Sequence, residues 1–485
     1  MDKKQPTENQ PESSKPSSSD PKTSLKADKN AIEGLLEKLS AKMLLEEEQQ
    51  QKEEMLKKEH KFWDTQPVPS VKPTSKAKKF DAPFIPDIPV DKIPKEQTPI
   101  PPEYKWCNID ISNPSEMHEL YNLLSNHYVE DADEMFRFRY STDFLNWALN
   151  PPNQNPDWHI GLRKTDGSNV LVAFISGLEL QLKINSVSKR MAEINFLCIN
   201  KSLRKLRLAP VLIREITRRF NLSKIYQAIY TAGIQIPTPI SVCRYFHRPL
   251  NPKKLINSGF SRLPHDMTLA KLVMKYRLSP EHTPQIRGLR LMTEKDVPQV
   301  RKILNKYLNA RTKVHQVFDT DAITKHWLLP RKDVIFTYVV EDVTKPGKIT
   351  DFFSYYLLPS TVLKKKDPSN AKSGKSDYSI LHSAYLFYYG LNTEPASGVE
   401  IEDSSISYKE LNEKLLKERL IALMKNCLLI AKNENFDVFN CVLIQDNATF
   451  LEDLKFGQGD GSLNYYFYNW NVRPFKNNEI GLTML

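Results

Sequence analysis

Apolar positions along this chain change period several times, and the changes mark out its elements. The run 194–199 is continuous and of strand length. After a short basic turn the spacing becomes helical from 209 to 219, with Leu212, Ile216 and Phe220 on one stripe and Arg214 and Arg218 on another. Pro210 falls where a first helical turn tolerates proline. The run 225–233 reads as a further strand and closes a strand–helix–strand unit. A strand at 106–111 followed by an amphipathic helix at 117–124 is matched by the same design at 287–292 and 297–304. Each helix ends in a similar phrase, Ser125-Asn126-His127-Tyr128 and Asn305-Lys306-Tyr307-Leu308. The repetition predicts an internal duplication with halves 105–285 and 286–485. The second half continues with aromatic strands at 351–356 and 384–389, a long helix at 411–433, and strands at 437–444 and 465–470. The expected fold class is α/β (α+β), a mixed sheet flanked by helices.

The flanks read differently. Residues 1–30 carry too few large apolar side chains to offset the entropy of ordering and predict disorder. Ile32, Leu35, Leu36, Leu39 and Met43 then give 31–59 a helical face, either a solvated tail or a docking helix for a ribosomal or membrane partner. At His60-Lys61-Phe62-Trp63 the pattern breaks. The aromatic pair suits a hydrophobic anchor that ties the tail to the core; with Lys61 beside it, it also suits stacking on an adenine while the charge meets phosphate. A proline-rich, lysine-containing linker completes the segment 60–104. The lysine-rich stretch 363–377 predicts a disordered insertion. Its Gly374-Lys375-Ser376 is not a phosphate loop, because Ser369 stands where that motif requires glycine and no apolar strand precedes it.

Composition narrows the partners. With 485 residues, 40% of them hydrophobic, the chain can bury a large core in two or more domain-sized units. The net charge of +11 calls for an acidic partner: nucleic acid, an anionic membrane, a ribosome, or a polyanionic co-substrate such as an acyl-CoA. The sequence carries no motif of a nucleic-acid-binding fold. No apolar run reaches bilayer-spanning length, and no apolar core follows the N-terminal lysines as in a signal peptide. A soluble, cytoplasmic monomer is expected. Cys107, Cys198, Cys243, Cys427 and Cys441 are scattered, without Cys-x-x-Cys or His-Glu-x-x-His spacing, and support neither a disulfide framework nor a metal site.

The most informative stretch is Glu193-Ile194-Asn195-Phe196-Leu197-Cys198-Ile199-Asn200-Lys201, followed by Ser202-Leu203-Arg204-Lys205-Leu206-Arg207-Leu208-Ala209-Pro210. A basic loop feeding a helix N-terminus is a generic anion site fit for a diphosphate, because unpaired N–H groups and the helix dipole point the same way. An ordinary strand–loop–helix with a few arginines reads the same. The phrase Glu-Ile-Asn-Phe-Leu-Cys, however, closely resembles a signature of the N-myristoyltransferases, which move a fourteen-carbon acyl group from coenzyme A to an N-terminal glycine. The pattern from Arg204 to Ala209 is similar to the pyrophosphate loop of the wider acetyltransferase superfamily. Lys455-Phe456-Gly457-Gln458-Gly459-Asp460-Gly461, by itself a tight turn into a strand, resembles the family's second signature. Residues 60–69 resemble the segment ahead of the family's catalytic domain, 128–140 its mobile loop over the peptide groove, and Tyr245-Phe246-His247-Arg248 its Tyr-x-His-Arg phrase. The resemblance runs over 60–485.

The resemblance implies two pseudo-symmetric acetyltransferase-like halves sharing one continuous sheet, the first binding acyl-CoA and the second the peptide. It assigns acyl-CoA contacts to His60, Lys61, Phe62 and Trp63, and to Phe196, Leu197, Cys198, Ile199, Arg204, Lys205, Leu206, Arg207, Leu208, Ala209 and Pro210. It assigns peptide contacts to Tyr128, Val129, Asp131, Asp133, Phe136, Phe138, Tyr140, Tyr245, His247, Phe260, Tyr385, Asn440, Asp460 and Gly461. Taken alone, 128–140 is an exposed acidic loop beside a strand, and a lone histidine such as His247 is as readily structural. The implied chemistry is direct attack of an amine on a thioester. Backbone N–H groups of Phe196 and Leu197 would form the oxyanion hole, and the main-chain carboxylate of Leu485 would be the base, assisted by Asn195 and Thr231. No serine-elbow or cysteine–histidine signature suggests a covalent acyl-enzyme. Myristoyl-CoA would be a co-substrate, with no permanently bound cofactor, and Gly-x-x-x-Ser/Thr peptides the acceptors. The chain departs from the family at Asn200, where histidine is common, at Lys205-Leu206, where a Ser-Lys pair is usual, and at Arg139, where an acidic or small residue is usual. Two other readings stay open: an N-acyltransferase of different acyl length, and a non-catalytic basic adaptor for ribosomes or nucleic acid.

Overall fold

In the computed structural model the two periodicities resolve into strands joined by single helices. The first half supplies β1 (Tyr104–Asn108), β2 (Phe136–Phe138), β3 (His159–Lys164), β4 (Leu171–Ile184), β5 (Val187–Ile199), β6 (Ala228–Ala232) and β7 (Ser241–Pro249). The second supplies β8 (Leu289–Leu291), β9 (Val314–Gln316), β10 (Ile335–Glu341), β11 (Ile349–Leu357), β12 (Ser360–Val362), β13 (Ile380–Leu381), β14 (Ser383–Leu391), β15 (Val438–Val442) and β16 (Gly457–Tyr468). The structure describes residues 60–69, 79–129, 135–278, 285–363, 380–392 and 408–485, with the backbone alone for 408–411. The expected tail 1–59 and residues 364–377 of the lysine-rich insertion lie outside the described residues. The chain divides into two compact units, 1–60 and 61–485, and every named element belongs to the second.

Thirteen strands form one mixed sheet. Its order is β1-β3-β4-β5-β6-β16-β7-β15-β14-β11-β10-β8, with β9 added to β4; β2, β12 and β13 form a small second sheet. From either edge inward the design is the same. Each edge strand leads to a helix, β1 to α1 (Pro114–His127) and β8 to the helix at Val297–Arg311. Each half then reaches a parallel pair, β5 with β6 and β14 with β15, bridged by α2 (Ala209–Leu222) in the first half and by Tyr408–Asn433 in the second. At the centre the halves interpenetrate: β16 lies between β6 and β7, and β7 between β16 and β15. The duplicated strand–helix opening is therefore present at both edges, and the exchange of central strands makes the sheet continuous.

Local chemistry accounts for the elements around the site. Asn113 accepts the Ser115 N–H and Pro114 opens α1, which buries Met117, Leu120, Leu123 and Leu124. Pro210 lies in the first turn of α2, and Leu212, Ile216 and Phe220 are buried as the stripe predicts. Phe220 stacks on Trp158 at 4.2 Å. That approach requires Gly177 of β4, where a Cβ would collide with the Phe220 ring edge. Glu215 of α2 is fully buried and bonds Arg218 at 2.7 Å, Arg219 at 2.8 Å and the Thr98 N–H at 2.9 Å. Burial opposes its charge, yet Arg218, the Thr98 amide and Arg219 hold its carboxyl down at about 2.

Two expectations change. The glycine-rich 455–461 is not a tight turn; Gly457 already pairs with His247 as the first residue of β16, and the register slips between Gln458 and Ser462. Glycine tolerates a bulge and a turn equally, so the sequence alone could not separate them. Phe136 to Phe138, taken by themselves as part of an exposed loop, form β2 and pair with β12.

Candidate active site

The site is built where β5 leaves its neighbours. Towards β6 it pairs only through Ala192, Glu193 and Ile194, so this ladder ends before Asn195. Towards β4 the register slips between Phe174 and Ser176, leaving Phe196 and Leu197 opposite Ile175 alone. Phe196 also takes a φ of +54°. A left-handed non-glycine residue costs about 1–3 kcal/mol and persists where its surroundings hold it. Here the Phe196 ring is buried between Tyr128 at 5.7 Å and Tyr140 at 5.4 Å. The N–H groups of Phe196 and Leu197 thus lie where neither neighbour continues a regular ladder, and the Phe196 N–H meets the Tyr128 phenolic oxygen.

Asn195 and Thr231 occupy the register positions just past the last β5–β6 pair, Ile194 with Tyr230. The Asn195 side chain donates to Glu193 Oε1 at 2.7 Å, and the Asn195 main-chain carbonyl accepts from Ser176 Oγ at 3.1 Å. Glu193 is buried, and desolvation pushes its carboxyl up to about 7 against the pull of Asn195. Sequence reasoning gave Glu193 no role although it begins the signature phrase. The chain's last residues are stitched beneath this region. Tyr465 Oη donates to the Leu482 carbonyl at 2.8 Å, Thr483 N–H to Tyr388 Oη at 3.3 Å, and Thr483 Oγ1 to the Phe387 carbonyl at 3.1 Å. Met484 is buried, and half-buried Leu485 packs on the core cluster that contains Phe196.

The aromatic and polar residues assigned to peptide contacts form one connected path. Phe136 meets Phe260 at 5.5 Å, Phe260 meets His247 at 5.6 Å, and His247 Nδ1 lies 2.6 Å from Asn440 Oδ1. Asn440 in turn bonds Tyr385, which meets Phe138 at 6.2 Å; Phe138 meets Tyr140 at 6.1 Å, and Tyr140 meets both Tyr128 and Phe196. Burial lowers the His247 pKa, with Asn440 and Asp460 opposing, so the ring is neutral and donates from Nδ1 to the Asn440 oxygen. Half-buried Tyr245 has its phenol pushed up to about 12 by burial. Asp460 and Gly461 are exposed, as is Val129, and Asp131 and Asp133 lie outside the described residues. Gly459 passes beneath His247, where a Cβ would collide with the imidazole at Nε2. Tyr356 and Tyr388, which sequence reasoning missed, close the floor: Tyr356 stacks on Tyr385 at 5.3 Å.

The residues assigned to acyl-CoA fall in two places. Trp63 stacks on Tyr230 at 5.7 Å, and Tyr230 on Tyr466 at 5.1 Å, the contacts of an anchor; Phe62 packs edge-on against Trp63, and Lys61 is exposed. His60 belongs to the other compact unit. Between β5 and α2, Lys201–Leu206 forms a 3-10 helix whose N-cap, Asn200, accepts the Ser202 N–H at 3.1 Å, which gives that departure from the family a structural use. Lys205, Leu206 and Arg207 are exposed, Arg204 donates to the His127 carbonyl at 2.8 Å, and Leu208, Ala209 and Pro210 lead into α2. Ile199 ends β5 half-buried. Cys198 is buried, and desolvation pushes its thiol up to about 12 despite Arg204, so it is not poised as a nucleophile. Among the described residues all five cysteines are free, no cluster of His, Cys, Asp and Glu could hold a metal, and no helix is long and apolar enough to cross a membrane.

Two family models match the chain. The N-terminal domain of myristoyl-CoA:protein N-myristoyltransferase matches residues 84–243, and the C-terminal domain matches 257–482. The chain is 42% identical over 430 residues to the glycylpeptide N-tetradecanoyltransferase of Plasmodium falciparum (isolate 3D7), covering 89% of this chain and 94% of that one. It is 43% identical over 427 residues to the probable glycylpeptide N-tetradecanoyltransferase of Caenorhabditis elegans, covering 88% and 86%. Among solved structures, Saccharomyces cerevisiae N-myristoyltransferase with bound myristoyl-CoA is similar with a TM-score of 0.78 at 38% identity, covering 88% of this chain and 100% of that one.

Proposed function

Since the chain belongs to the myristoyl-CoA:protein N-myristoyltransferase family and is a glycylpeptide N-tetradecanoyltransferase, an acyltransferase, we propose that it joins myristate to N-terminal glycines by direct attack of the amine on the thioester of myristoyl-CoA. The observation that carries this reading is the end of the β5–β6 ladder before Asn195, with the left-handed bulge at Phe196. In this reading the thioester oxygen takes the place of the Tyr128 phenol at the Phe196 N–H and meets the Leu197 N–H as well. Fixed donors of this kind typically contribute about 3 kcal/mol each to the transition state. The basic turn Arg204–Arg207 and the start of α2 hold the diphosphate, and residues 61–63 cover the nucleotide end.

The peptide lies along the path from Phe196 to Phe260 with its amine at the Phe196 end. Asn195 and Thr231 orient that amine. An α-amine has a pKa near 8 and an α-carboxyl near 3.5, so the amine arrives protonated and the Leu485 carboxylate ionised. The ammonium gives one proton to that carboxylate, and nitrogen bonds the carbonyl carbon. The carbon–sulfur bond breaks, and the departing thiolate takes up the second nitrogen proton. A Cβ on the first residue would crowd the walls that aim the amine, hence the preference for glycine. We place the reaction in the cytoplasm. Incubation with myristoyl-CoA and no acceptor tests the direct route: no thiol is released and the protein mass is unchanged, whereas a myristoylated enzyme would refute it.

A further inference from the structure

The stretch 253–277 carries six lysines and arginines against one carboxylate, Asp266, and its outer surface mixes charge with exposed apolar side chains. Its helix, Leu269–Lys275, buries Leu272 alone. The outward positions are Ala270, Lys271, Val273, Met274 and Lys275; Val273 is 40% exposed and Met274 64%, and the loop leading in adds Leu263 at 39%. A helix face turned to water is normally polar, so apolar side chains set between lysines are the anomaly. Further cations back the stretch. Lys455 Nζ bonds the Lys275 carbonyl at 3.0 Å, and Lys432 Nζ bonds the Leu278 carbonyl at 3.0 Å. Among the described residues no carboxylate is paired with Lys271, Lys275 or Lys455. The stretch includes Phe260, which contacts His247 and Phe136, and its helix so follows the end of the aromatic path farthest from Phe196.

The geometry points to a membrane-contacting face: Leu263, Val273 and Met274 enter the headgroup region of an anionic bilayer while Lys271, Lys275 and their neighbours meet its phosphates. Nucleic acid would use the charges and leave the apolar side chains in water; a lipid interface uses both. The position beside the path's outer end places the bilayer next to an emerging product. A single myristoyl chain binds membranes only marginally and reversibly, so release beside the bilayer favours its capture.

The full chain is to be sedimented with vesicles of phosphatidylcholine alone and of phosphatidylcholine with phosphatidylserine, with no acyl donor present, so that the outcome is independent of the transfer reaction. The wild type is expected on the phosphatidylserine vesicles, released by salt. Lys271→Glu with Lys275→Glu should weaken binding about tenfold or more. Met274→Ser, which leaves the charge unchanged, should also weaken it, which an RNA-like charge contact would not require. Both variants alter exposed residues and should keep wild-type turnover of a short soluble peptide. Equal binding to both vesicle types, variants that bind like wild type because the N-terminal tail supplies the contact, or binding to RNA but not to vesicles would each overturn the proposal.

Discussion

Glu193 offers a quantitative test of how the site around Asn195 is built. It is 7% exposed, it accepts from the Asn195 amide at 2.7 Å, and burial raises its carboxyl from 4.5 to about 7. The folded chain therefore keeps a proton that the unfolded chain has already lost. From 4.5 to 7 the unfolded state binds fewer protons, so this residue lowers stability as pH rises through that window, to a total of about 3 kcal/mol, and adds no further slope above it. Glu193→Gln removes the charge and keeps an oxygen for the Asn195 amide. Urea unfolding of wild type and variant at about pH 5 and about pH 8 should show the variant gaining about 2–3 kcal/mol relative to wild type at the higher pH. A difference that is the same at both pH values would refute the buried, neutralised carboxyl.

Other consequences follow from the same geometry. Gly459→Ala puts a Cβ against His247 and should raise the peptide KM about tenfold through strain on the His247–Asn440 bond, leaving acyl-CoA affinity unchanged by calorimetry. Glu215→Ala strands Arg219 in the core and should cost about 3–5 kcal/mol in denaturant unfolding. Because the Glu215 carboxyl is held at about 2, its contribution is complete above the unfolded pKa and is lost as pH falls from 4.5 toward 2, so acid unfolding of the variant should be shallower there. Residues added after Leu485 should abolish transfer while acyl-CoA still binds; full activity in the extended protein would remove the carboxylate from the mechanism.

Much of this architecture is legible in local pattern, because strand and helix periods are local properties. The stripe of α2, the strand at 194–199 and the two matching strand–helix openings are of this kind. The insertion of β16 between β6 and β7 is not, since it pairs residues more than two hundred positions apart and leaves no periodic trace. The glycines of 455–461 read as a tight turn because glycine suits a turn and a bulge alike; the bulge follows from the pairing with β7 and from Gly459 passing against His247. Trp63 carried two readings because its ring suits either partner; the stack on Tyr230 supplies the anchor. Glu193 escaped notice because a carboxylate in a strand looks solvent-facing until burial on both sides is known. The contacts that join Phe136, Phe260, His247, Asn440 and Tyr385 come from separate segments, which family phrases can name but no local pattern can bring together.

The most direct test measures thiol release from myristoyl-CoA with a Gly-initiated peptide and with the same peptide beginning with alanine. The account predicts rapid release accompanied by the myristoylated peptide for glycine, and release no faster than the peptide-free background for alanine. Equal rates for the two peptides would contradict it.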